Sequence, residues 1–356
     1  MNRVYNYSPG PSMLPLSVLE RAQKELTSFG DTGMSVMEMS HRSKTYLAIY
    51  DQAEQGLRNL MHIPDTYAVL FLQGGATEQF SAVPLNLLQS GKADYIDSGN
   101  FAHLAAAEAA RYLSVTTVAT SREATYTYIP DWKGKLSADA DYLHITTNNT
   151  IYGTRFTELP EGPAPLVADM SSNILSEVYD VNKFGVIYAG AQKNIGPSGL
   201  AVIIVRKDLF GRASKACPKL MNWTSQAENQ SMINTPNTYG IYMAGLCFEW
   251  LQGLGGVAAV EKINIEKAQM LYDFLDESKL FSSPAQNAYR SRMNITFVTG
   301  SDELDDAFVK EAAKAGLVNL KGHRNVGGMR ASIYNAMPVE GVQALVSFMK
   351  DFEAKH

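Results

Sequence analysis

The stretch VIYAGAQKNIGPSGLAVIIV, residues 186–205, places one lysine between two apolar runs. Val186–Tyr188 and Leu200–Val205 have the composition of buried strands, and the turn between them contains Lys193. A lysine flanked by buried strands loses hydration, which lowers its pKa and makes the neutral amine a better nucleophile. Two interpretations are open at this point: a lysine that can form a Schiff base, or a solvated charge on an exposed turn.

Short apolar runs alternate with helical patterns from about residue 66 to residue 206. The predicted strands are Tyr67–Leu72, Tyr95–Asp97, Val115–Ala119, Tyr142–Thr146, Leu166–Ala168, Val186–Tyr188 and Leu200–Val205. Helices are predicted at Thr77–Leu88 and Phe101–Leu113. The alternation predicts an α/β fold with a mostly parallel seven-stranded sheet flanked by helices on both faces.

The pattern changes after Tyr239 and predicts a smaller α+β domain at the carboxyl end. Helices are predicted at Tyr239–Leu251, Val257–Leu275, Asp302–Ala315 and Val339–Glu353, and strands at Arg292–Val298 and Met329–Tyr334. We expect residues 16–262 to form a large domain and residues 263–356 a small one. Residues 1–15, which contain three prolines, are expected to form an extended arm that packs with the small domain.

Composition excludes several classes of protein. The net charge of −5 and the absence of basic clusters argue against a nucleic-acid partner. No stretch approaches about 20 uninterrupted apolar residues, and the start lacks a signal-peptide pattern, so neither a membrane span nor secretion is expected. Two cysteines, Cys217 and Cys247, cannot build a disulfide framework and fit a reducing cytoplasm. A cytoplasmic protein without a nucleic-acid or membrane partner is therefore predicted.

Two more features suggest a site at one edge of the sheet. In PLVADMSSNILS, Asp169 ends an apolar run, so its carboxylate is expected in the crevice at the carboxyl ends of the strands. An aspartate beside a Schiff-base lysine is what pyridoxal phosphate requires, because the carboxylate keeps the pyridine nitrogen protonated. In VLFLQGGATEQF, Ala76 and Thr77 follow two glycines and open a helix, which makes an anion site. A tight strand-to-helix turn is the alternative.

Six fragments carry a resemblance to a known family: SVMEMSHRSK, VLFLQGGATEQF, VADMSSNILS, AGAQKNIGPSGL, MINTPNTY and VGGMRASIYNAMP. In this order and at these distances they resemble the phosphoserine aminotransferases, a branch of the fold-type I pyridoxal phosphate enzymes. The resemblance extends from Tyr7 to the last helix. It implies the fold-type I architecture, a homodimer with shared active sites, pyridoxal 5′-phosphate as cofactor and no metal ion.

The resemblance implies roles for residues around the cofactor. Lys193 matches the lysine that forms the Schiff base, and Asp169 matches the partner of the pyridine nitrogen. Thr150 matches a threonine at the cofactor ring, and Phe101 falls where an aromatic residue, often tryptophan, stacks on the ring. The positions that match contacts of the cofactor phosphate are Ala76, Thr77 and Gln192, with Asn234 and Thr235 supplied by the other subunit.

The resemblance also implies that glutamate and 3-phosphohydroxypyruvate are bound in turn by one site. Arg330 matches the arginine that binds the shared α-carboxylate, since an arginine fork suits a carboxylate. The patch for the distal anion corresponds to two His-Arg pairs, His41 with Arg42 and His323 with Arg324. Some members of the family have an arginine at the position of Thr77 and a serine at the position of Pro9, which leaves Ser8 as the nearby hydroxyl of the arm.

The implied reaction is a reversible ping-pong transamination that gives O-phosphoserine and 2-oxoglutarate. A side activity on 4-phosphohydroxythreonine, known in the family, stays open. So do an alanine–glyoxylate or serine–glyoxylate aminotransferase, a cysteine desulfurase with Cys217 as nucleophile, and a non-enzymatic binding protein on the same scaffold. A glyoxylate enzyme would not need two His-Arg pairs, and a binding protein would need no pair of Lys193 and Asp169.

Overall fold

The protein was analysed as a computed structural model, which describes residues 3–356. The helices are α1 Leu16–Lys24, α2 Lys44–Met61, α3 Ala76–Leu87, α4 Asn100–Ala109, α5 Trp223–Glu228, α6 Thr238–Gly253, α7 Val257–Glu277, α8 Asp302–Lys314 and α9 Val339–Glu353. The strands are β1 Tyr5–Asn6, β2 Tyr67–Gln73, β3 Lys92–Asp97, β4 Ser114–Thr120, β5 Leu143–Thr146, β6 Asn148–Asn149, β7 Thr154–Arg155, β8 Leu166–Asp169, β9 Val186–Gly190, β10 Leu200–Arg206, β11 Asn294–Phe297, β12 Leu317–Val318 and β13 Met329–Ser332.

Seven strands form the central sheet in the order β2-β10-β9-β8-β5-β3-β4. Strand β10 is antiparallel to both of its neighbours, and all other pairs are parallel. Alternate residues of β10 enter two different hydrophobic clusters, so the sheet is buried on both faces. The predicted α/β fold with a mostly parallel seven-stranded sheet is therefore confirmed.

The predicted strands all occur, most of them one to three residues longer than expected. The largest difference among the helices is α4, which ends at Ala109 although the apolar pattern continues to Leu113, because the chain turns there to enter β4. Helix α2 was not predicted, although its buried residues follow helical spacing. Its first turn is capped by the Ser43 hydroxyl, which accepts a hydrogen bond from the backbone N–H of Tyr46 at 3.2 Å.

A second hydrophobic core lies beyond the sheet and is built on α8, α9 and the antiparallel pair β11–β13. Helix α7 contributes Val257 and Val260 to the large core but Ala268 and Leu271 to the second one. We propose that the domain boundary falls inside α7, where the sequence predicts it.

The amino-terminal arm pairs with the second core. Strand β1 is parallel to β12, and Tyr7 is fully buried among the side chains of that core. The predicted arm begins at residue 1, and residues 1 and 2 lie outside the described part of the chain.

Within residues 3–356, no single helix is long and apolar enough to cross a membrane. Helices α6 and α7 reach the required length and composition only together, as a pair bent by 82°.

Asp141 fixes the turn that enters the sheet from α3, which gives a prediction about stability. Its carboxylate accepts hydrogen bonds from the backbone N–H groups of Gln89, Ser90 and Gly91 at 2.9, 2.7 and 2.9 Å. Burial alone would raise the pKa of this carboxyl, but the N–H groups outweigh burial and lower it. We expect Asp141→Ala to reduce the free energy of unfolding at pH 7 by about 2 kcal/mol, because three partly buried backbone donors lose a charged acceptor.

The same substitution should matter less in acid. A carboxyl with a depressed pKa stabilises the fold above its unfolded value of about 3.9, and the contribution disappears as the pH falls through the folded value. Urea unfolding of both proteins at pH 7 and near pH 3 measures the difference. The control is Asp139→Ala, which removes an exposed ion pair with Lys92 and should change the free energy of unfolding little, because water screens the pair. Equal effects of the two substitutions would contradict the prediction.

Candidate active site

The parallel strands bring the predicted site residues to one edge of the sheet. Strands β8 and β9 end at Asp169 and Gly190, and the loop that follows β9 contains Lys193. Because β10 runs back antiparallel, this loop stays at the carboxyl edge. Helix α3 begins at Ala76 just after β2, and α4 begins just after β3 with Phe101 in its first turn. This edge is where open α/β sheets bind their ligands.

Lys193 is partly buried and faces polar and aromatic groups. Its ammonium donates a hydrogen bond to the Thr150 hydroxyl at 2.7 Å and lies 5.7 Å from the centre of the Phe101 ring. Burial lowers the pKa of Lys193 to about 8, with the negative charge of Asp169 raising it and the positive charge of Arg330 lowering it. A substantial fraction of the amine is therefore neutral near neutral pH, which is the nucleophilic form.

Asp169 is buried, with 5% of its surface exposed. Its Oδ1 accepts a hydrogen bond from the backbone N–H of Ser171 at 2.8 Å, and within residues 3–356 no residue other than Ser171 donates to this carboxylate. Burial raises the pKa of Asp169, although Ser171 and the charge of Lys193 act against the rise. A buried carboxylate with so few donors can accept a further one from a ligand.

The amino end of α3 is open to an anion. Gly75 is its N-cap residue and supplies no side-chain hydrogen bond to the first turn. The backbone N–H groups at the start of a helix have no intrahelical partner and carry a partial positive charge. Ala76 and Thr77 present such groups beside the Thr77 hydroxyl, which lies on an exposed side chain.

Arg330 lies on β13, and 6% of its surface is exposed. One guanidinium nitrogen donates to the backbone carbonyl of Thr150 at 3.0 Å. The Nε–H is buried and has no partner in the described chain. An unpaired donor on a buried arginine is costly, and a carboxylate ligand would satisfy it.

Of the two His-Arg pairs, one lies near this cluster. His323 and Arg324 are in the loop 322–328 that enters β13, and burial together with the charges of Arg330 and Arg324 lowers the pKa of His323. That loop is closed tightly, because Gly322 donates its N–H to the carbonyl of Gly328 at 2.8 Å. His41 and Arg42 lie before α2, and no described contact in this chain joins them to Lys193.

Of the remaining predicted residues, Gln192 and Ser8 lie beside Lys193 or its loop, whereas Asn234 and Thr235 lie near the end of β2. Gln192 precedes Lys193, and a Cβ at Gly10 would lie 3.3 Å from its Cγ, so the arm with Ser8 passes beside the lysine loop. Asn234 and Thr235 are exposed and lie near the end of β2, where the Gln73 amide donates to the carbonyl of Thr235. Asn234 also lines a cavity of about 360 Å³ together with Gly74.

Two residues that hold the lysine loop were missed in the sequence. Ser12 donates its hydroxyl to the carbonyl of Lys193 at 2.5 Å, and the Asn194 amide donates to the carbonyl of Ile174 at 3.0 Å. The signal for Asn194 was its place next to Lys193. Nothing local marks Ser12, which is 181 residues from its partner.

Comparisons of the sequence and of the structure with known proteins match this chain, over nearly its whole length, to aminotransferases. The profile of the family Aminotransferase class-V matches residues 4–345. The phosphoserine aminotransferase of Bacillus cereus is 55% identical over 359 residues and is covered completely, as is this chain. The structure of the phosphoserine aminotransferase from Bacillus circulans subsp. alkalophilus superposes with a TM-score of 0.97 at 44% identity, covering 99% of each chain. The pyridoxal phosphate-bound enzyme from Trichomonas vaginalis gives a TM-score of 0.95 at 40% identity, covering 98% of this chain and 100% of that one.

The environment of Lys193 predicts how its amine reacts in the cofactor-free protein. We expect reductive methylation of Lys193 to show a pH midpoint of about 8, against about 10.4 for an ordinary lysine. Asp169→Asn should move the midpoint down and Arg330→Gln should move it up, because the first removes a negative charge and the second a positive one. Peptide mass spectrometry across a pH series measures all three. A wild-type midpoint near the ordinary value, or shifts of the same sign in both variants, would contradict the assignment.

Proposed function

For a chain that belongs to the class-V aminotransferases and, within them, to the phosphoserine aminotransferases, we propose that one site transfers an amino group between glutamate and 3-phosphohydroxypyruvate. The family depends on pyridoxal 5′-phosphate. The observation that carries the proposal for the site is the amine of Lys193, whose pKa is lowered by burial and which is influenced by the charges of both Asp169 and Arg330.

The residues present fit this cofactor. A lysine with a lowered pKa suits covalent attachment of an aldehyde, and a buried aspartate with an open acceptor suits a protonated ring nitrogen. The amino end of α3, at Ala76 and Thr77, suits a phosphate. Phe101 offers an aromatic face beside the lysine, without the N–H that a tryptophan would add.

When bound, pyridoxal phosphate supplies an electron sink for the negative charge that develops at the α-carbon of an amino acid. Lys193 would hold the cofactor through its neutral amine. Once displaced by the amino donor, this amine would take the proton from the α-carbon and deliver it to the cofactor carbon that Lys193 had held. The negative charge of Asp169 would keep the ring nitrogen protonated. Thr150 accepts a hydrogen bond from the lysine and so orients its amine before displacement.

The substrates are proposed from charge. Arg330 would bind the α-carboxylate that glutamate and 3-phosphohydroxypyruvate share, which satisfies its unpaired Nε–H. His323 and Arg324, in the loop that precedes β13, would bind the distal carboxylate of glutamate or the phosphate of 3-phosphohydroxypyruvate. We propose that His41, Arg42, Asn234 and Thr235 complete the site from the second subunit of a homodimer, since in this chain they lie on exposed or partly exposed segments and no described contact joins them to Lys193.

The cysteine desulfurase alternative is disfavoured by the state of the thiols. Burial raises the pKa of Cys217, and it raises the pKa of Cys247 to about 12. A nucleophilic cysteine needs the opposite shift. The glyoxylate alternatives are tested by comparing turnover of 3-phosphohydroxypyruvate with turnover of glyoxylate, both with glutamate as donor. We expect the phosphorylated substrate to be strongly preferred.

Lys193→Ala is expected to abolish transamination and the cofactor's absorbance at about 400 nm together, since the variant loses the amine that we propose attaches the cofactor. A coupled assay with glutamate and 3-phosphohydroxypyruvate measures the first, and a spectrum of the purified protein the second. The exposed Lys355→Ala is the control and should behave as the wild type. Retained turnover in the Lys193 variant would overturn the proposed function.

Substitutions of Arg330 and Arg324 should affect KM for the two amino donors differently. Arg330→Lys is expected to raise KM for glutamate and for alanine alike, by about 10- to 100-fold, because both carry an α-carboxylate and lose a bidentate partner. Arg324→Ala should raise KM for glutamate but not for alanine, which has no distal anion. Steady-state kinetics with the two donors measures the effects. An equal loss for both donors in Arg324→Ala would place this residue outside the distal patch.

A further inference from the structure

The three residues 192–194 are each held by a group from outside their own loop. Ser12 donates its backbone N–H to the carbonyl of Gln192 at 3.0 Å and its hydroxyl to the carbonyl of Lys193 at 2.5 Å. The Asn194 side-chain oxygen accepts the backbone N–H of Asn335 at 3.0 Å. The lysine backbone is thus fixed by two anchors, Ser12 on one side and Asn194 on the other.

Both anchors lead to the strand that carries Arg330. Asn335 follows the end of β13 by three residues. The arm that contains Ser12 is tied to the same region, because Ser332 donates its N–H to the carbonyl of Tyr7 at 3.2 Å and the Tyr334 hydroxyl donates to the carbonyl of Pro9 at 2.8 Å. The segment 332–335 is therefore connected to the loop of Lys193 through two separate sets of hydrogen bonds.

Asn194 also connects this loop to the turn after Asp169. Its amide donates to the carbonyl of Ile174 at 3.0 Å, and the next carbonyl, that of Leu175, accepts the Asn335 amide at 2.9 Å. Leu175 has a positive φ of 62°, which is uncommon for a leucine and shows that its surroundings hold it in place. Asn194 and Asn335 are each 8% exposed, so leaving any of these groups unpaired would be costly.

We propose that Asn194 and Ser12 are positioning residues that set Lys193 in place relative to Asp169 and Arg330. The proposal rests on the proposed function, in which these three side chains act together. Neither anchor needs to touch substrate or cofactor, because each acts through the backbone of the lysine loop.

The distance between the three groups matters for the chemistry. The charges of Asp169 and Arg330 act on the Lys193 amine in opposite directions, and burial suppresses its charged form. A looser loop admits water, favours the protonated form of the Lys193 nitrogen, whether it is free or attached to the cofactor, and misplaces the atom that moves the α-proton. Misplacement by about 1 Å can cost roughly 100-fold in rate.

The test compares two buried asparagines of the same network in the holoenzyme. Asn194→Ala removes the links to Ile174 and Asn335. The control Asn264→Ala removes two hydrogen bonds as well, to the carbonyl of Ser176 at 3.0 Å and the side chain of Asn335 at 2.9 Å, but Asn264 does not contact the lysine loop.

Both asparagine variants should lower the thermal unfolding temperature similarly. Each loses two buried hydrogen bonds to nitrogen or oxygen partners, and Asn194→Ala also loses a weak one from the amide to the Met293 sulfur at 3.8 Å. Only Asn194→Ala should reduce kcat with glutamate, by about 10- to 100-fold, whereas Asn264→Ala stays within about threefold of the wild type. Only Asn194→Ala should raise the pH midpoint of the cofactor's visible absorbance, by about half a unit or more. Equal effects of the two variants on rate and midpoint would overturn the proposal.

Ser12→Ala decides the matter if Asn194→Ala does not fold. This change removes one hydroxyl from a partly exposed arm and should leave the unfolding temperature nearly unchanged. We expect it to raise the same pH midpoint and to lower kcat by about three- to tenfold. An unchanged pH midpoint together with an unchanged kcat in Ser12→Ala would overturn the proposed positioning role.

A separate measurement distinguishes a failure of the positioning proposal from a failure of the proposed function. Borohydride reduction of the wild-type holoenzyme, followed by peptide mass spectrometry, identifies the residue that holds the cofactor. Attachment elsewhere than Lys193 would overturn the proposed function itself. Attachment at Lys193, with Asn194→Ala resembling Asn264→Ala, would overturn only the role of the anchors.

Discussion

The site depends on shielding one amine, that of Lys193, from most of the solvent while still giving it polar and charged partners. Taking a lysine into apolar surroundings disfavours its charge, and here this cost is moderated by Asp169 and by the Thr150 hydroxyl. Three strands from different parts of the chain are needed to bring these groups together. The parallel sheet supplies them at one edge, and the antiparallel β10 returns the chain after the lysine without moving it away from that edge. The fold thus meets the requirement of the chemistry, because it brings the reactive side chains together at the carboxyl ends of the strands.

The sequence predicted the sheet well because its strands are buried on both faces and read as continuous apolar runs. Lys193, Asp169 and the turn at Gly74–Gly75 could be placed for the same reason, since each follows such a run. Strands β6, β7 and β12 have two residues each and carry no pattern, because their pairing is decided by distant parts of the chain. Helix α2 did carry a pattern, with buried residues at helical spacing, and was overlooked.

The supporting polar residues were the least predictable part of the site. Asn194, Asn264 and Asn335 are asparagines in loops or on a helix, which in a sequence suggest turns or solvated positions. Their role comes from partners that lie 20 to 160 residues away and are hidden until the chain is folded. Arg330 is a similar case. Its Nε–H is buried and has no partner in residues 3–356, a feature that only Arg290 shares among the arginines of the described chain. This state depends on how the folded chain packs around the side chain. Resemblance supplied the role of Arg330, and packing supplies the physical reason.

The pairing of β1 with β12 has a consequence for the order in which the molecule is built. Tyr5 lies opposite Leu317, so the two residues are separated by 317 − 5 = 312 positions. A ribosome that adds about 5 to 20 residues per second needs roughly a quarter of a minute to a minute to cover that distance. During this time β1 lacks its partner strand, and the strand of Arg330 does not yet exist. The large sheet can form while synthesis continues, but the complete site can assemble only after the strand of Arg330 has been made.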